Sequence, residues 1–287
     1  MRVRALIAAA TFLLPMVPAH AEQCRPASFV LETDWYGGVY IPAGIGGQPM
    51  KLLVDTGGAT SMLTDSTVSS LGLSRYPLRG ASVTMYGGLR LNSFVRINSV
   101  QVGDLAATPS TFYVMPDSRI PYALSGTLAP DFLSQYDVEF DFPNARLSLF
   151  PPGCAPIDPR SSSTIMPDNV HHIVVPVQVD GSTVVALLDT GASRSDFSLE
   201  TARKLFGPGT GLRPATGADV EDGLYKHSFR TLSIGGVSIA NPDLVLVPDG
   251  IARRPTGSPR LVLGMGVLRR THMIVSYSRN LLALTPR

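Results

Sequence analysis

The chain has 287 residues, of which 44% are hydrophobic and 16% are charged. This composition allows a large apolar core and excludes a globally disordered protein. The formal net charge is +2, and it falls to zero if Arg2 and Arg4 are removed with an N-terminal signal, because 22 basic and 22 acidic residues then remain. A neutral chain has no long-range attraction for nucleic acid or for an anionic membrane.

Residues 1–21 are typical of a secretory signal peptide. Two arginines supply a positive end, residues 5–17 form an apolar stretch too short to span a bilayer comfortably, and Ala19-His20-Ala21 matches a cleavage site. We therefore expect cleavage after Ala21, a secreted or periplasmic protein, and no stable membrane insertion afterwards. The alternative is a membrane anchor or a buried N-terminal helix.

The chain has two cysteines, Cys24 and Cys154. Export would place them in an oxidising compartment, where disulfides form and persist. Each is the only partner for the other within the chain, so we expect a bridge between the mature N-terminus and the end of the first half. Two buried or separately reactive thiols are the alternative.

One short phrase occurs twice, as Leu52-Leu53-Val54-Asp55-Thr56-Gly57 and as Ala186-Leu187-Leu188-Asp189-Thr190-Gly191. The two aspartates are 134 residues apart, close to half the chain. Each aspartate ends an apolar run that is typical of a buried strand, and each is followed by a Thr-Gly turn. A single copy of this motif could be a surface turn, but two copies in matched contexts indicate a duplicated fold.

Further elements recur in the same order after each motif. The pattern predicts a short helix from Asp65 to Leu71, ending at Gly72, and a second from Ser198 to Phe206, ending at Gly207, with Ser198 as the N-cap. Hairpins are expected next. The first turns at Tyr86-Gly87-Gly88, and the second has a tight turn at Asp222-Gly223 between Val220 and Leu224.

Each half then closes with an apolar element that contains glycine, followed by a final strand. In the first half these are Leu124-Ser125-Gly126 and residues 146–150, and in the second half they are Leu261-Val262-Leu263-Gly264 and residues 280–284. Long helices alternating with strands are missing, which excludes a doubly wound parallel sheet. We predict an all-β fold, mainly β with a few short helices, built as two pseudo-twofold-related β-barrel lobes.

The predicted organisation has four parts. Residues 1–21 are the signal peptide, residues 22–150 the N-terminal lobe, residues 151–169 a linker rich in Pro and Ser, and residues 170–287 the C-terminal lobe.

Two facing carboxylates can activate a water molecule. In a shielded cleft Asp55 and Asp189 cannot both stay ionised, so the pair would hold one shared proton. The ionised member would take a proton from water while the protonated member donates to a carbonyl oxygen, which is general acid–base peptide hydrolysis without metal or covalent intermediate. Because they have no side chain, Gly57 and Gly191 would permit a tight turn and a close approach of the backbone beneath the two carboxyl groups.

The doubled apolar-apolar-Asp-Thr-Gly motif, with a later hairpin and an apolar-apolar-Gly element, resembles the aspartic proteases of the pepsin and retropepsin clan. The resemblance covers roughly Val39 to Leu284. It implies a bilobal pepsin-like architecture with two retropepsin-like lobes, in which Asp55 and Asp189 are the catalytic aspartates. It also implies that Thr56 and Thr190 are the interlocking threonines that support the dyad.

The resemblance also implies flaps, the hairpins that cover the cleft and bind substrate. The corresponding positions are Tyr86, Gly87 and Gly88 in the first lobe and Gly223 and Tyr225 in the second. Pepsin-like enzymes have Ser or Thr directly after Asp-Thr-Gly, where the hydroxyl helps to keep the dyad ionised. This chain has Gly58 and Ala192 there, as in retropepsins, so we expect a pH optimum in mild rather than strong acid.

These observations predict a secreted or periplasmic aspartic endopeptidase that acts as a monomer on an extended peptide or protein substrate. No cofactor or metal is implied, because the adjacent His171 and His172 point opposite ways on a strand and have no Cys or acidic partner at ligand spacing. The alternative is a catalytically silent protein that binds peptides or envelope polymers on the same scaffold.

Overall fold

The computed structural model describes residues 23–34, 37–80, 82–85, 88, 90–107, 110–117, 124–211, 213–215, 223–254 and 257–286. The expected signal peptide and the expected flap residues Tyr86 and Gly87 lie outside these ranges. Within the described ranges, no helix combines the length and apolar character that a membrane crossing requires.

The first half of the chain is dominated by short strands. They are β1 (Ala27–Val30), β2 (Glu32–Thr33), β3 (Val39–Ile45), β4 (Gln48–Val54), β5 (Met62–Thr64), β6 (Arg75–Pro77), β7 (Val83–Thr84), β8 (Arg90–Leu91), β9 (Ser93–Ile97), β10 (Val100–Val102), β11 (Leu105–Ala107), β12 (Ser110–Met115), β13 (Gly126–Leu128), β14 (Asp137–Asp141) and β15 (Arg146–Phe150). Two short helices accompany them, α1 (Asp65–Ser70) and α2 (Pro130–Leu133).

The second half has the same character. Its strands are β16 (Ser163–Thr164), β17 (Val174–Val179), β18 (Ser182–Leu188), β19 (Ser195–Ser198), β20 (Arg213–Pro214), β21 (Tyr225–Lys226), β22 (Thr231–Ile234), β23 (Val237–Ala240), β24 (Leu244–Val247), β25 (Leu261–Leu263), β26 (Thr271–Ser276) and β27 (Leu281–Pro286). Its helices are α3 (Leu199–Phe206), α4 (Asp249–Ala252) and α5 (Met265–Leu268).

Two large sheets form two lobes with matching topology. The first-lobe sheet runs β11-β10-β3-β4-β13-β5-β12-β9-β6, with β2 also paired to β3. The second-lobe sheet, read in the corresponding direction, runs β23-β22-β17-β18-β25-β19-β24-β21-β20. The nine positions correspond one to one, which confirms the predicted mainly β fold of two pseudo-twofold-related lobes.

A third sheet joins the lobes. Its order is β1-β15-β14-β26-β27-β16, and its centre is the antiparallel pair of β14 from the first half and β26 from the second. Apolar side chains of both halves are buried together around this sheet, including Phe140 and Val275, each 0% exposed. The lobes are therefore fixed to each other by backbone hydrogen bonds and by a shared core.

The two predicted helices next to the motifs are present. In α1 the Thr64 hydroxyl accepts the Thr67 N–H, and in α3 the Ser198 hydroxyl accepts the Thr201 N–H at 3.1 Å, as an N-cap does. Gly207 ends α3 with a φ of 96°, a left-handed value that favours glycine. The hairpin of β7 and β8 is also present, with Val83 opposite Leu91.

The apolar, glycine-containing element that closes the first lobe was predicted at the wrong residues. Strand β13 pairs in parallel with β4 so that Leu128 lies opposite Val54, just as Leu263 lies opposite Leu188 in the second lobe. Ala129 is therefore the counterpart of Gly264, and the prediction of Leu124-Ser125-Gly126 for this role was wrong. Gly126 instead begins the strand, where an added Cβ would lie 2.2 Å from a backbone oxygen of β5.

Two further predictions concern the segments between strands. The second-lobe turn was predicted at Asp222-Gly223 between Val220 and Leu224, but Val220 and Asp222 lie outside the described residues. Next to the pairing of β20 with β21, Leu224 O accepts the N–H of Ala215 at 2.8 Å. The segment predicted as a linker contains a 3-10 turn at Pro159–Ser161 and strand β16, which pairs with β27. The lobe-joining sheet thus extends into the segment between the lobes.

The expected disulfide between Cys24 and Cys154 is present, with an S–S distance of 2.03 Å. It closes a loop whose ends are 130 residues apart and lies beside the pairing of β1 with β15, in which Ala27 faces Leu149. The bridge therefore holds the N-terminal strand against the lobe-joining sheet.

Removing this bridge should lower stability. The double change Cys24→Ser and Cys154→Ser is expected to reduce the free energy of unfolding by about 2–4 kcal/mol, because the unfolded chain regains the entropy of an open loop. Denaturant titrations with and without reductant measure this. Reductant should destabilise the parent protein and leave the serine variant unchanged; equal midpoints for parent and variant without reductant would contradict the prediction.

Candidate active site

The two Asp-Thr-Gly motifs are anchored in the same way. Asp55 follows β4, and its backbone N–H donates to Leu128 O at 2.9 Å. Asp189 follows β18, and its N–H donates to Leu263 O at 2.9 Å. Each aspartate therefore begins its turn while it is still hydrogen-bonded to the neighbouring parallel strand. This fixes the backbone from which the carboxyl group projects.

Backbone donors orient each carboxyl group. The N–H groups of Gly57 and Gly58 donate to Asp55 Oδ1 at 3.1 and 2.9 Å. In the second lobe, the two N–H groups that follow Thr190 donate to Asp189 Oδ1 at 2.8 and 3.0 Å. Each Oδ1 atom, which we call the inner oxygen, is therefore held by its own turn, and this fixes the orientation of the carboxyl group.

The two threonines lock the turns together across the pseudo-twofold axis. The Thr56 hydroxyl donates to Leu188 O at 2.8 Å, and the Thr190 hydroxyl donates to Val54 O at 2.6 Å. Each hydroxyl also accepts the other threonine's N–H, at 3.0 and 3.1 Å. Both threonines are 0% exposed, so these hydrogen bonds are made away from water. The predicted interlock is therefore present in the geometry.

The carboxyl groups meet because each lies directly against the glycine of the opposite turn. A Cβ added to Gly57 would lie 2.2 Å from Asp189 Cγ, and a Cβ added to Gly191 would lie 2.5 Å from Asp55 Oδ1. Each carboxyl group also changes the pKa of the other. Two carboxyls in such contact cannot both stay ionised, so the pair holds one shared proton.

The pKa values of the two aspartates are both raised but not equally. Burial raises the pKa of Asp55, while the Gly57 and Gly58 N–H groups, its contact with Asp189 and the charge of His172 act in the opposite direction. Burial and the charge of Asp55 raise the pKa of Asp189 well above its ordinary value. Raised pKa values on both members are what two close carboxyl groups that share one proton should have.

A cleft of about 400 Å³ opens above the pair. Besides the two turns it is lined by Met85, Met115, Asp196 and Val262. Met85 directly follows β7, so the first-lobe hairpin lies beside the dyad as a flap would. At the described end of this hairpin, an added Cβ on Gly88 would lie 3.3 Å from the side chain of Arg253 in the second lobe.

The expected second-lobe flap residues lie elsewhere. The Tyr225 ring lies 5.8 Å from the Arg203 guanidinium in a cation–π contact and packs against the core. Gly223 lies close to the side chain of Ile251. Neither residue is among those that line the cleft. Strand β21 pairs with β24 rather than extending over the dyad, which accounts for this placement.

Sequence reasoning missed two serines that support the turns. Ser61 Oγ accepts the N–H of Ala129 at 3.0 Å, and Ser195 Oγ accepts the N–H of Gly264 at 3.0 Å. Ser61 also donates to Asp131 at 2.6 Å. A signal was available, because each serine comes six residues after the aspartate of its own motif.

The cleft wall contains one further residue that sequence reasoning missed. Asp196 lies seven residues after Asp189 and is 8% exposed, and its carboxyl accepts the Arg194 Nε–H at 2.9 Å. The corresponding first-lobe residue is Met62, which is buried. The two lobes therefore differ at this position, with a carboxyl group in one and an apolar side chain in the other. Among the described residues, no His, Cys, Asp and Glu cluster could hold a metal ion.

The sequence profile of the aspartyl protease family matches residues 41–128 and, a second time, residues 175–267. Each match contains one Asp-Thr-Gly motif and the strand that anchors it. The chain belongs to the aspartyl protease family. Two matches in one chain are consistent with a two-lobed, retropepsin-like protein. No sequence among the curated proteins matches this chain.

Adding a methyl group to Gly57 or Gly191 should lower the stability of this aspartyl protease family member. Gly57→Ala would force its Cβ into the Asp189 carboxyl, so the turn or the dyad must shift, and we expect a loss of about 1–3 kcal/mol in the free energy of unfolding. Gly209→Ala is the matched control, because an added Cβ there meets nothing within 4 Å. Equal denaturation midpoints for the two variants would contradict the close contact.

Ionisation of the Asp55–Asp189 pair should also lower the stability of the fold as pH rises. Because the pKa of Asp189 is raised in the folded protein, the stability that its proton supplies is present below the unfolded-state pKa and is lost as pH rises through the folded-state pKa. Asp189→Asn should therefore melt at a higher temperature than the parent at neutral pH, since raising a pKa by one pH unit corresponds to about 1.4 kcal/mol.

The control for this prediction is Asp104→Asn, an exposed aspartate in a turn. Its melting temperature should stay close to that of the parent at every pH. Melting curves from acid to neutral pH measure the difference. A parent protein whose melting temperature exceeds that of Asp189→Asn at neutral pH would refute the assignment.

Proposed function

We propose that this chain is an aspartic endopeptidase that hydrolyses peptide bonds with Asp55 and Asp189 as a proton-sharing pair. Membership of the aspartyl protease family supports a peptide hydrolase. The observation that carries the finer assignment is the contact between the two carboxyl groups, which are partly buried at the base of a cleft on turns that Thr56 and Thr190 lock together.

The proposed reaction needs only these two side chains and one water molecule. The ionised carboxyl takes a proton from the water, and the protonated carboxyl donates its proton to the oxygen of the scissile carbonyl. The resulting tetrahedral intermediate collapses when the leaving amine receives a proton from the pair. Because the turn N–H groups already hold the inner oxygens, the carboxyls require little reorientation during the reaction.

The substrate would be a peptide in an extended conformation. Its backbone would pair with the hairpin of β7 and β8, and alternate side chains would enter the cleft. Met85, Met115 and Val262 offer apolar contacts for residues next to the scissile bond. Since both aspartates belong to one chain, we propose that the monomer is the active form.

We also propose that the protein is exported. Residues 1–21 have the composition of a cleavable signal, and the Cys24–Cys154 disulfide supports an oxidising compartment, secreted or periplasmic.

Peptide cleavage tests the proposal. The mature chain, incubated with a diverse peptide library across pH, should cleave internal bonds, and Asp55→Asn or Asp189→Asn should each reduce the rate by about 10²–10⁴-fold, because either change removes the acid–base pair. Asp104→Asn is the control and should cleave like the parent. Peptide binding without turnover by the folded parent would instead indicate a silent peptide-binding protein.

The pH dependence gives a second readout of the same experiment. Gly58 and Ala192 bring no hydroxyl to the carboxyls, so less stabilises the ionised pair, and the maximum rate should fall in mild acid. A rate profile with its maximum near pH ~2 would refute this expectation, because it would require a strongly acidic dyad.

A further inference from the structure

A cross-strand pair in the second lobe places a charged side chain in the cleft. Asp196 of β19 lies opposite Val262 of β25, and both residues line the cleft above the dyad. The corresponding pair in the first lobe is Met62 of β5 opposite Thr127 of β13, and it is uncharged. The charge therefore distinguishes the second lobe from the first at this position.

The alternation of side chains along β19 fixes the direction of Asp196. Its neighbour Phe197 is 0% exposed and packs in the core against Phe206, with the two ring centroids 6.4 Å apart. On the other side, Ser195 Oγ accepts the N–H of Gly264 at 3.0 Å. Because successive side chains of a strand point to opposite faces, these two anchored neighbours hold Asp196 toward the cleft.

Arg194 holds the carboxyl group of Asp196 in an ion pair. The Arg194 Nε–H donates to Asp196 Oδ1 at 2.9 Å. The Arg194 side chain is 37% exposed, whereas that of Asp196 is 11% exposed. Within the described part of the chain, Asp196 lines the cleft and Arg194 does not. The cleft therefore meets the negative end of this ion pair, and the positive end lies toward solvent.

The side chains that surround this carboxylate are apolar. Apart from the two Asp-Thr-Gly turns and Asp196, the described residues that line the cleft are Met85, Met115 and Val262. The two methionines pack in one cluster with Met62 of the first lobe. A ligand side chain with a long apolar stem and a cationic head fits both features, because the stem packs on these residues and the head reaches the carboxylate. Lysine and arginine have this construction.

We propose that Asp196 is a specificity-determining residue that binds a lysine or arginine side chain of the peptide substrate at one position near the scissile bond. This deepens the proposed function and rests on it, since the cleft must first accept a peptide. The ammonium or guanidinium group of the substrate donates to the Asp196 carboxylate. Because the first-lobe counterpart is Met62, the preferred substrate is basic on one side of the dyad and apolar on the other.

Paired peptides test the proposal. The probes are peptides in which each position around the scissile bond carries lysine, arginine, norleucine or glutamate in turn. Norleucine has the lysine stem without the ammonium group. At one position the parent protein should cleave the lysine and arginine peptides with a kcat/KM about tenfold or more above that for the norleucine peptide. The glutamate peptide should be the poorest, because its charge repels Asp196.

Variants at Asp196 assign the preference to this residue. Asp196→Asn keeps an oxygen that can accept the Arg194 Nε–H but removes the charge, so lysine and norleucine peptides should be cleaved equally well. Asp196→Met introduces the first-lobe residue and should have the same effect, which keeps the test decisive if Asp196→Asn does not fold. Asp196→Glu restores a carboxylate and should retain the preference for lysine.

The matched control is Asp104→Asn, a change at an exposed aspartate in a turn, which should keep the preference of the parent. A parent protein with no basic preference at any position would overturn the proposal. A preference for lysine that both Asp196→Asn and Asp196→Met leave unchanged would also overturn it.

Binding separates this proposal from the proposed function. Asp189→Asn protein should bind the peptides without cleaving them, and calorimetry should show the lysine peptide bound about tenfold or more tightly than the norleucine peptide. A parent protein that cleaves no peptide would refute the proposed function, while a binding preference that Asp196→Asn removes would still support the basic subsite. Equal affinities for the two peptides would overturn the subsite whatever the parent cleaves.

Discussion

The interlock of Thr56 and Thr190 is the constraint on which the candidate site depends. Four hydrogen bonds, all of 2.6–3.1 Å and all buried, tie each turn to the strand end of the other lobe. Two carboxyls in contact repel each other when ionised, and they are already costly to bury. The interlock, the lobe-joining sheet and the glycines at the contact hold them together despite this cost, and the shared proton follows from that geometry.

Fusing two related lobes in one chain allows equivalent positions to diverge. Met62 and Asp196 occupy matching places in β5 and β19, and Gly38 and His172 occupy matching places before β3 and β17. A dimer of identical chains cannot differ in this way, because every residue is repeated by symmetry. The duplicated motif supplies two equivalent aspartates, and the residues around them differ between the two lobes.

Much of the architecture could be predicted because it is encoded locally and twice. The Asp-Thr-Gly turns, the helix capped by Ser198 and the hairpin opening at Val83 each follow from a few adjacent residues. The error arose where long-range register decides. Ala129, not a glycine, follows Leu128 at the position that the parallel pairing of β13 with β4 sets. The hydrogen bonds that Ser61 and Ser195 accept from Ala129 and Gly264 were not predicted, since they join residues 68 and 69 positions apart in the chain.

A double-mutant cycle across the interlock tests the central claim most directly. Thr56→Val and Thr190→Val keep the shape of each side chain but remove one hydroxyl, and each should lower the free energy of unfolding by about 1–3 kcal/mol. Because the two hydroxyls belong to one network, the double variant should lose less than the sum, by about 1 kcal/mol or more. Strictly additive losses, like those expected when either change is combined with the exposed Thr183→Val, would contradict the account.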